Sequence, residues 1–214
     1  NLVKIAQDNA QVVAESDIIF IGLLPGTARE IIPSLPFTEK HFVVSMMAAV
    51  DYTETLSLLE AAAPSLPDQQ IVRTVPLPAA AKRSGPILMH PINERGSAIL
   101  KNIGTPVSCK GEEDMKPMIC LTGHISSFFE LQRVTESWIT SKGVDSEAAS
   151  AFVRSFYSSL ATAAENSEHS LADMRDEAAT PGGLNEQSVQ TLTGSEHFHL
   201  QEKSLQDLLN RLGS

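Results

Sequence analysis

The 214-residue chain is poor in cysteine, in positive charge and in long apolar runs. Its two cysteines, Cys109 and Cys120, have no CxxC spacing and no adjacent histidine pair, so they read as buried, reduced thiols of a cytoplasmic protein. Lys and Arg number 16 against 26 Asp and Glu, giving a net charge of −10 and a pI near 5.0. Binding to nucleic acid needs clustered basic side chains, and an anionic membrane surface asks for the same, so both partners are excluded. No run approaches the roughly 18 apolar residues that would span a bilayer, and no charged n-region with a cleavable apolar segment signals secretion. Internal repeats, low-complexity tracts and a G-x-S-x-G elbow are also absent, which removes support for a serine hydrolase. A doubly wound nucleotide-binding domain usually opens on a strand and a G-x-G-x-x-G turn, and that fingerprint is missing too.

What remains is an ordinary globular composition, 42% hydrophobic and 20% charged, organised in two halves. In the first, "SDIIFIGLLPG" (16–26), "HFVVSM" (41–46), "IVRTVP" (71–76), "PILMH" (86–90) and "TPVSC" (105–109) are strand candidates. Three of these are continuously apolar, as suits a parallel sheet covered on both faces. Between them "DNAQVVAE" (8–15), "TETLSLLEAAA" (53–63) and "ERGSAILKNI" (94–103) have helical spacing, with Asp8 and Thr53 as N-cap candidates. Alternation of strand and helix predicts an α/β doubly wound parallel sheet over residues 1–111.

Residues 112–214 predict an all-helical domain. "MKPMICLTGHISSFFELQRVTESWI" (115–139) reads as one long helix entered through Pro117, and "EKSLQDLLNRL" (202–212) as a closing amphipathic helix. In "VDSEAASAFVRSFYSSLATAAE" (144–165), capped by Asp145, residues Ala149, Phe152, Val153, Phe156 and Leu160 form one apolar face. Such wide faces, including those of Phe128 and Phe129, predict a homodimer or higher homo-oligomer built on this domain.

The stretch "RDEAATPGGLNEQS" (175–188) interrupts the helices with Thr180-Pro181-Gly182-Gly183. It is either a turn between two helices or a loop whose amides and hydroxyls hold a small anion. Among other candidates, His197-x-His199 does not share a helix face and reads as a helix entry rather than a metal site. Lys82 and Arg83 read as a solvated pair, and Glu112, Glu113 and Asp114 as an N-cap cluster at a domain junction.

Four stretches in order, "DNAQVVAESDIIFIGLLPG" (8–26), "IVRTVPLPAAA" (71–81), "LTGHISSFFELQ" (121–132) and "MRDEAATPGGLNEQS" (174–188), resemble the pyrroline-5-carboxylate reductase family over essentially the whole chain. The family's pattern runs "N-x-x-x-V-x-x-S-D-x-(apolar run)-K-P", "R-x-M-P-N-T-P", "S-G-S-G-P-A-Y" and "L-R-D-x-V-T-S-P-G-G-T-T". The resemblance implies a truncated Rossmann-like domain followed by a helical dimerisation and substrate domain. The family's first strand, Gly-rich turn and second strand, a βαβ unit of roughly 30 or more residues, have no counterpart at the front of this sequence. It further implies transfer of a hydride from NADP or NAD to the C=N bond of a small cyclic imine acid.

By the same resemblance Asn9, Gly22, Leu23, Leu24, Pro25, Val75 and Pro76 match positions along the cofactor. Thr180, Gly182, Gly183 and Asn185 match the loop that holds the substrate carboxylate, and no residue is assigned a catalytic acid or base role. Leu77 replaces the family's asparagine, Leu184 a small residue, Asn185 a threonine, and His124 a glycine or serine, so a close analogue of pyrroline-5-carboxylate is an open substrate. Two alternatives stand beside this reading. One is a catalytically silent, dimerising relative. The other is a reductase of the β-hydroxyacid dehydrogenase class, which needs a catalytic lysine on the first long helix of the helical domain; Lys110 and Lys116 lie early for that role.

Overall fold

The computed structural model describes residues 3–47 and 49–212. The chain divides into two compact units, Asn1–Lys116 and Pro117–Ser214.

Unit 1 holds β1 (Ile18–Ile21), β2 (Phe42–Ser45), β3 (Ile71–Pro76), β4 (Pro86–His90) and β5 (Thr105–Ser108), side by side in chain order. Helices α1 (Asn9–Ala14), α2 (Pro25–Ile31), α3 (Tyr52–Ala62) and α4 (Glu94–Leu100) connect and cover them. All four residues of β2 are buried, and they alternate between two cores as a strand covered on both faces must. Val43 packs with Val13 of α1, Ala28 of α2 and Leu59 of α3. Phe42 and Val44 face the other way, with Val72, Ile87, Met89 and Leu100 of α4. Ile18 and Phe20, paired in register with Phe42 and Val44, lie at the sheet's edge and are 39% and 43% exposed.

The sheet is mostly, not wholly, parallel. β1, β2 and β3 run parallel, β4 returns antiparallel to β3, and β5 is parallel to β4. The reason lies in the connection. A parallel crossover takes a dozen or more residues, usually with a helix, whereas residues 77–85 hold only a 3-10 turn at Pro78–Lys82, closed by Arg83 at φ 56. That segment reverses the chain without crossing the sheet. The cap of α3 is also corrected: Asp51, not Thr53, accepts the Glu54 amide at 2.8 Å. Asp8 caps α1 as expected, by accepting the Gln11 amide.

Helix α5 (Glu112–Leu121) carries the boundary between the units. The single helix expected over 115–139 is in fact α5, a 3-10 turn at Thr122–His124, and α6 (Ile125–Ser141). Leu208 sits over this turn so closely that a Cβ on Gly123 would lie 2.7 Å from its Cδ1. Nor does Pro117 open α5, which begins at Glu112 with the Asp114 carboxylate accepting the Lys110 and Gly111 amides.

Unit 2 continues with α7 (Ser146–Glu165), α8 (Leu171–Ala178), α9 (Leu184–Gly194) and α10 (His197–Leu212), the last starting earlier than the 202 expected. Asp145 caps α7 by accepting the Glu147 and Ala148 amides. Between α6 and α7, Tyr157 lies edge-on to Phe128 and Phe156 and its hydroxyl meets Thr135 Oγ1 at 3.3 Å. Along these two helices only Ala149 and Val153 are buried among the described residues, while Phe129, Trp138 and Phe152 are each more than 60% exposed. No described helix is long and apolar enough to cross a membrane.

Candidate functional site

Two groups of expected site residues lie at one edge of the unit 1 sheet. Because β1 and β3 both run parallel to the β2 between them, their C-terminal ends emerge on the same side. Gly22, Leu23 and Leu24 follow β1, and Pro25 opens α2 at a position where its missing N–H costs nothing. Val75 and Pro76 end β3. Asn9, the first residue of α1, joins Gly22 and Leu23 around a shallow cavity of about 80 Å³ that also touches Phe20 and Phe37. Gly22 is exposed, and a Cβ there would meet the Met46 terminal methyl at 3.7 Å, an ordinary contact.

Arg73 is the residue whose importance the sequence alone hid. It stands on β3, two residues before Val75, and is 4% exposed. Its Nε donates to the Val50 carbonyl at 3.0 Å, and its Nη1 to Glu112 Oε2 at 2.9 Å and to Met115 Sδ. The other Glu112 oxygen accepts the Tyr52 amide at 2.8 Å. One buried ion pair thus fastens β3, the chain after β2, and the starts of α3 and α5. Glu112 is therefore not the capping residue of its acidic cluster; Asp114 is, and Glu113 pairs with Lys116 on the surface. The Cys109 thiol nearby is pushed above its usual range by burial first and by Asp114 second. Burial likewise raises the Tyr52 phenol.

In unit 2 the Thr180–Asn185 group forms the turn between α8 and α9. Gly182 takes φ +72, a left-handed conformation that L side chains rarely adopt. Gly183 is the N-cap of α9, and a Cβ there would stand 2.8 Å from the Thr180 carbonyl. The turn uses much of its own polarity. Gly183 N–H donates to the Thr180 carbonyl at 2.8 Å, Asn185 Nδ2 to the Ala178 carbonyl at 3.0 Å, and Gly182 N–H to Glu186 Oε2 at 2.7 Å. The Thr180 side chain is exposed, and the first-turn amides of Leu184 and Asn185 have no intrahelical partner.

His124 Nε2 lies 3.2 Å from Ser204 Oγ. It lines an open, largely apolar groove of about 690 Å³ with Leu121, Phe128, Phe129 and Leu200. His197 opens α10, Lys82 and Arg83 are exposed, and no His, Cys, Asp or Glu cluster among the described residues has metal-binding geometry.

No protein-family model matches the sequence, and no curated protein sequence does. In three dimensions the chain is similar to a pyrroline-5-carboxylate reductase from Coxiella burnetii, with a TM-score of 0.76 at 19% identity over 96% of this chain and 78% of that one. It is similar to 1-pyrroline-5-carboxylate reductase from Streptococcus pyogenes, with a TM-score of 0.71 at 16% identity over 96% and 79%. The pyrroline carboxylate reductase of Plasmodium falciparum, solved with NADP bound, gives a TM-score of 0.72 at 14% identity over 96% and 79%. Likeness of this extent at such low identity establishes architecture, and the chain has the fold of the pyrroline-5-carboxylate reductases.

Proposed function

We propose that the protein is a divergent NAD(P)H-dependent reductase of a small cyclic imine acid, pyrroline-5-carboxylate or a close analogue. The observation that carries this reading is the pairing of that fold with two strand-end loops, Gly22–Pro25 and Val75–Pro76, at one sheet edge. Ligands of open α/β sheets bind outside the carboxyl ends of the strands. A bound nicotinamide supplies the hydride for the C=N carbon, leaving little for a protein acid or base to do once the imine is protonated. This chain's part is position. Asn9 and the two loops line the cofactor, while the exposed Thr180 hydroxyl and the Leu184 and Asn185 amides receive the carboxylate at the N-terminus of α9. The two loops and Asn9 would hold the nicotinamide end of the cofactor.

The same reading has the helical unit joining two copies through the exposed faces of α6 and α7, and places the protein in the cytoplasm, in keeping with two free, buried cysteines. The catalytically silent, dimerising relative stands as the second reading, in keeping with Leu77 where the family's pattern has asparagine. The decisive experiment adds racemic pyrroline-5-carboxylate to the protein with NADPH or NADH and follows absorbance at the nicotinamide band. Saturable oxidation supports the reductase. A stable dimer that neither binds the nucleotides nor turns them over supports the silent relative.

A further inference from the structure

Met46 stands in the middle of the sheet edge from which the two strand-end loops emerge. It is the first residue after β2, which lies between β1 and β3. Its amide donates to the Ile21 carbonyl at 2.8 Å, so the ladder between β1 and β2 runs one step past Ser45. That step sets Met46 beside Gly22, and the matching step from the Ser45–Arg73 pair sets it beside Thr74 of β3. Its chain neighbours Ser45 and Met47 are buried, whereas Met46 is half-buried and Gly22 is exposed. The Met46 side chain reaches across the glycine, with its terminal methyl 3.7 Å from where a Cβ would stand. Apart from the chain neighbours of Gly22, no other heavy atom of the described residues comes within 4 Å of that point. The bare backbone of Gly22 is therefore covered by one thioether arm and is otherwise open.

We infer that Met46 is a third wall of the nicotinamide site, a cofactor-positioning residue that fixes where the dihydronicotinamide ring rests between the two loops. The inference rests on the cofactor-site reading of Gly22–Pro25 and Val75–Pro76. Gly22 offers backbone that a planar ring can approach closely, because no Cβ stands in the way. Met46 adds an apolar, polarizable arm with several rotatable bonds, and a thioether packs favourably against an aromatic ring. The Ile21 carbonyl holds its backbone in place. The side chain lies over Gly22 in the empty site and turns onto the ring in the filled one. An apolar wall at this place also keeps water from the ring, as hydride transfer requires.

The test labels the methionine methyl groups of the full chain for NMR, assigns Met46 by the signal lost in Met46→Leu, and titrates with NADPH. The Met46 methyl should shift through the ring current together with the Gly22 and Val75 amides, while the methyl of Met89, buried on β4, stays in place. Nuclear Overhauser contacts from the Met46 methyl should run to the nicotinamide protons. Met46→Ala should bind NADPH about tenfold more weakly, in proportion to the apolar contact removed. Met46→Leu keeps the apolar bulk and should stay within about twofold of the parent. A Met46 methyl that NADPH leaves still while the Gly22 and Val75 amides move would overturn the role of Met46 alone. So would contacts to the adenine protons instead, or parental affinity in Met46→Ala. If NADPH moves neither the methyl nor the amides, the cofactor-site reading itself falls and takes Met46 with it.

Discussion

At the scale of single residues, the groups that matter most are buried and polar. His41 is 1% exposed at the foot of β2, its Nδ1 accepting the Thr38 amide at 2.9 Å, with the Phe37 ring edge-on to it. Burial first and Lys40 second hold its pKa below the usual value, while Asp17 and the Val13 carbonyl pull weakly the other way. The folded state thus favours the neutral ring. A depressed folded pKa gives stability that is present above the unfolded pKa of about 6.5 and lost as pH falls below it. The urea midpoint should decline from pH 7.5 to 5.5, and His41→Gln should flatten that decline; an unchanged slope would show that other groups cause it. The Arg73–Glu112 pair makes a second residue-scale prediction. Removing one partner of a buried pair leaves an uncompensated charge, at a cost of about 3–5 kcal/mol. Glu112→Ala should destabilise by an amount near the lower end, since Glu112 is partly exposed. The double variant Arg73→Met, Glu112→Leu should recover most of it in chemical denaturation.

At the scale of elements, local chemistry decided most of what was legible. All five strands fall within the stretches read from the sequence, and the apolar run is plainest in β2, whose four residues are all buried. What escaped depends on partners far along the chain. The antiparallel return of β4 follows from the reach of residues 77–85 across a sheet whose order is known only in space. The Arg73–Glu112 pair spans 39 positions and leaves no local mark. Gly123 interrupts a helical pattern because Leu208, 85 positions away, packs on it. The α8–α9 turn was legible as a special conformation through its Pro-Gly-Gly, but not that Glu186 would close it. The cap of α3 tests the difference between a sequence preference and an observed bond. Asp51→Ala removes the acceptor of the Glu54 amide and should cost about 1 kcal/mol. Thr53→Ala, inside the helix, should be near neutral. A larger loss for Thr53 in thermal unfolding would reverse the assignment.

At the scale of the whole molecule, the two units differ in how they meet the cost of folding. Unit 1 has two cores, one on each face of its sheet. Along α6 and α7 the buried set among the described residues is Ala149 and Val153, while Phe128, Phe129, Trp138, Phe152, Phe156 and Leu160 are all exposed by 46% or more. The Phe152 and Phe156 rings stack at 6.0 Å and 11°. Monomeric proteins rarely leave so much contiguous apolar surface in water, and each such side chain gains roughly 1.5–3 kcal/mol on full burial. A second copy of the same helical unit answers this directly, since an isologous contact lays the same apolar face against itself. The parent should therefore scatter light as a dimer or larger oligomer at micromolar concentration, with a melting temperature that rises with concentration. Phe152→Ser with Phe156→Ser removes two large side chains from that exposed face. The pair of substitutions should lower the apparent mass toward the monomer and abolish the concentration dependence, while unit 1 keeps its sheet signal in circular dichroism. A parent that stays monomeric, or a variant that stays dimeric, would show that the face of α6 and α7 is not where the copies join.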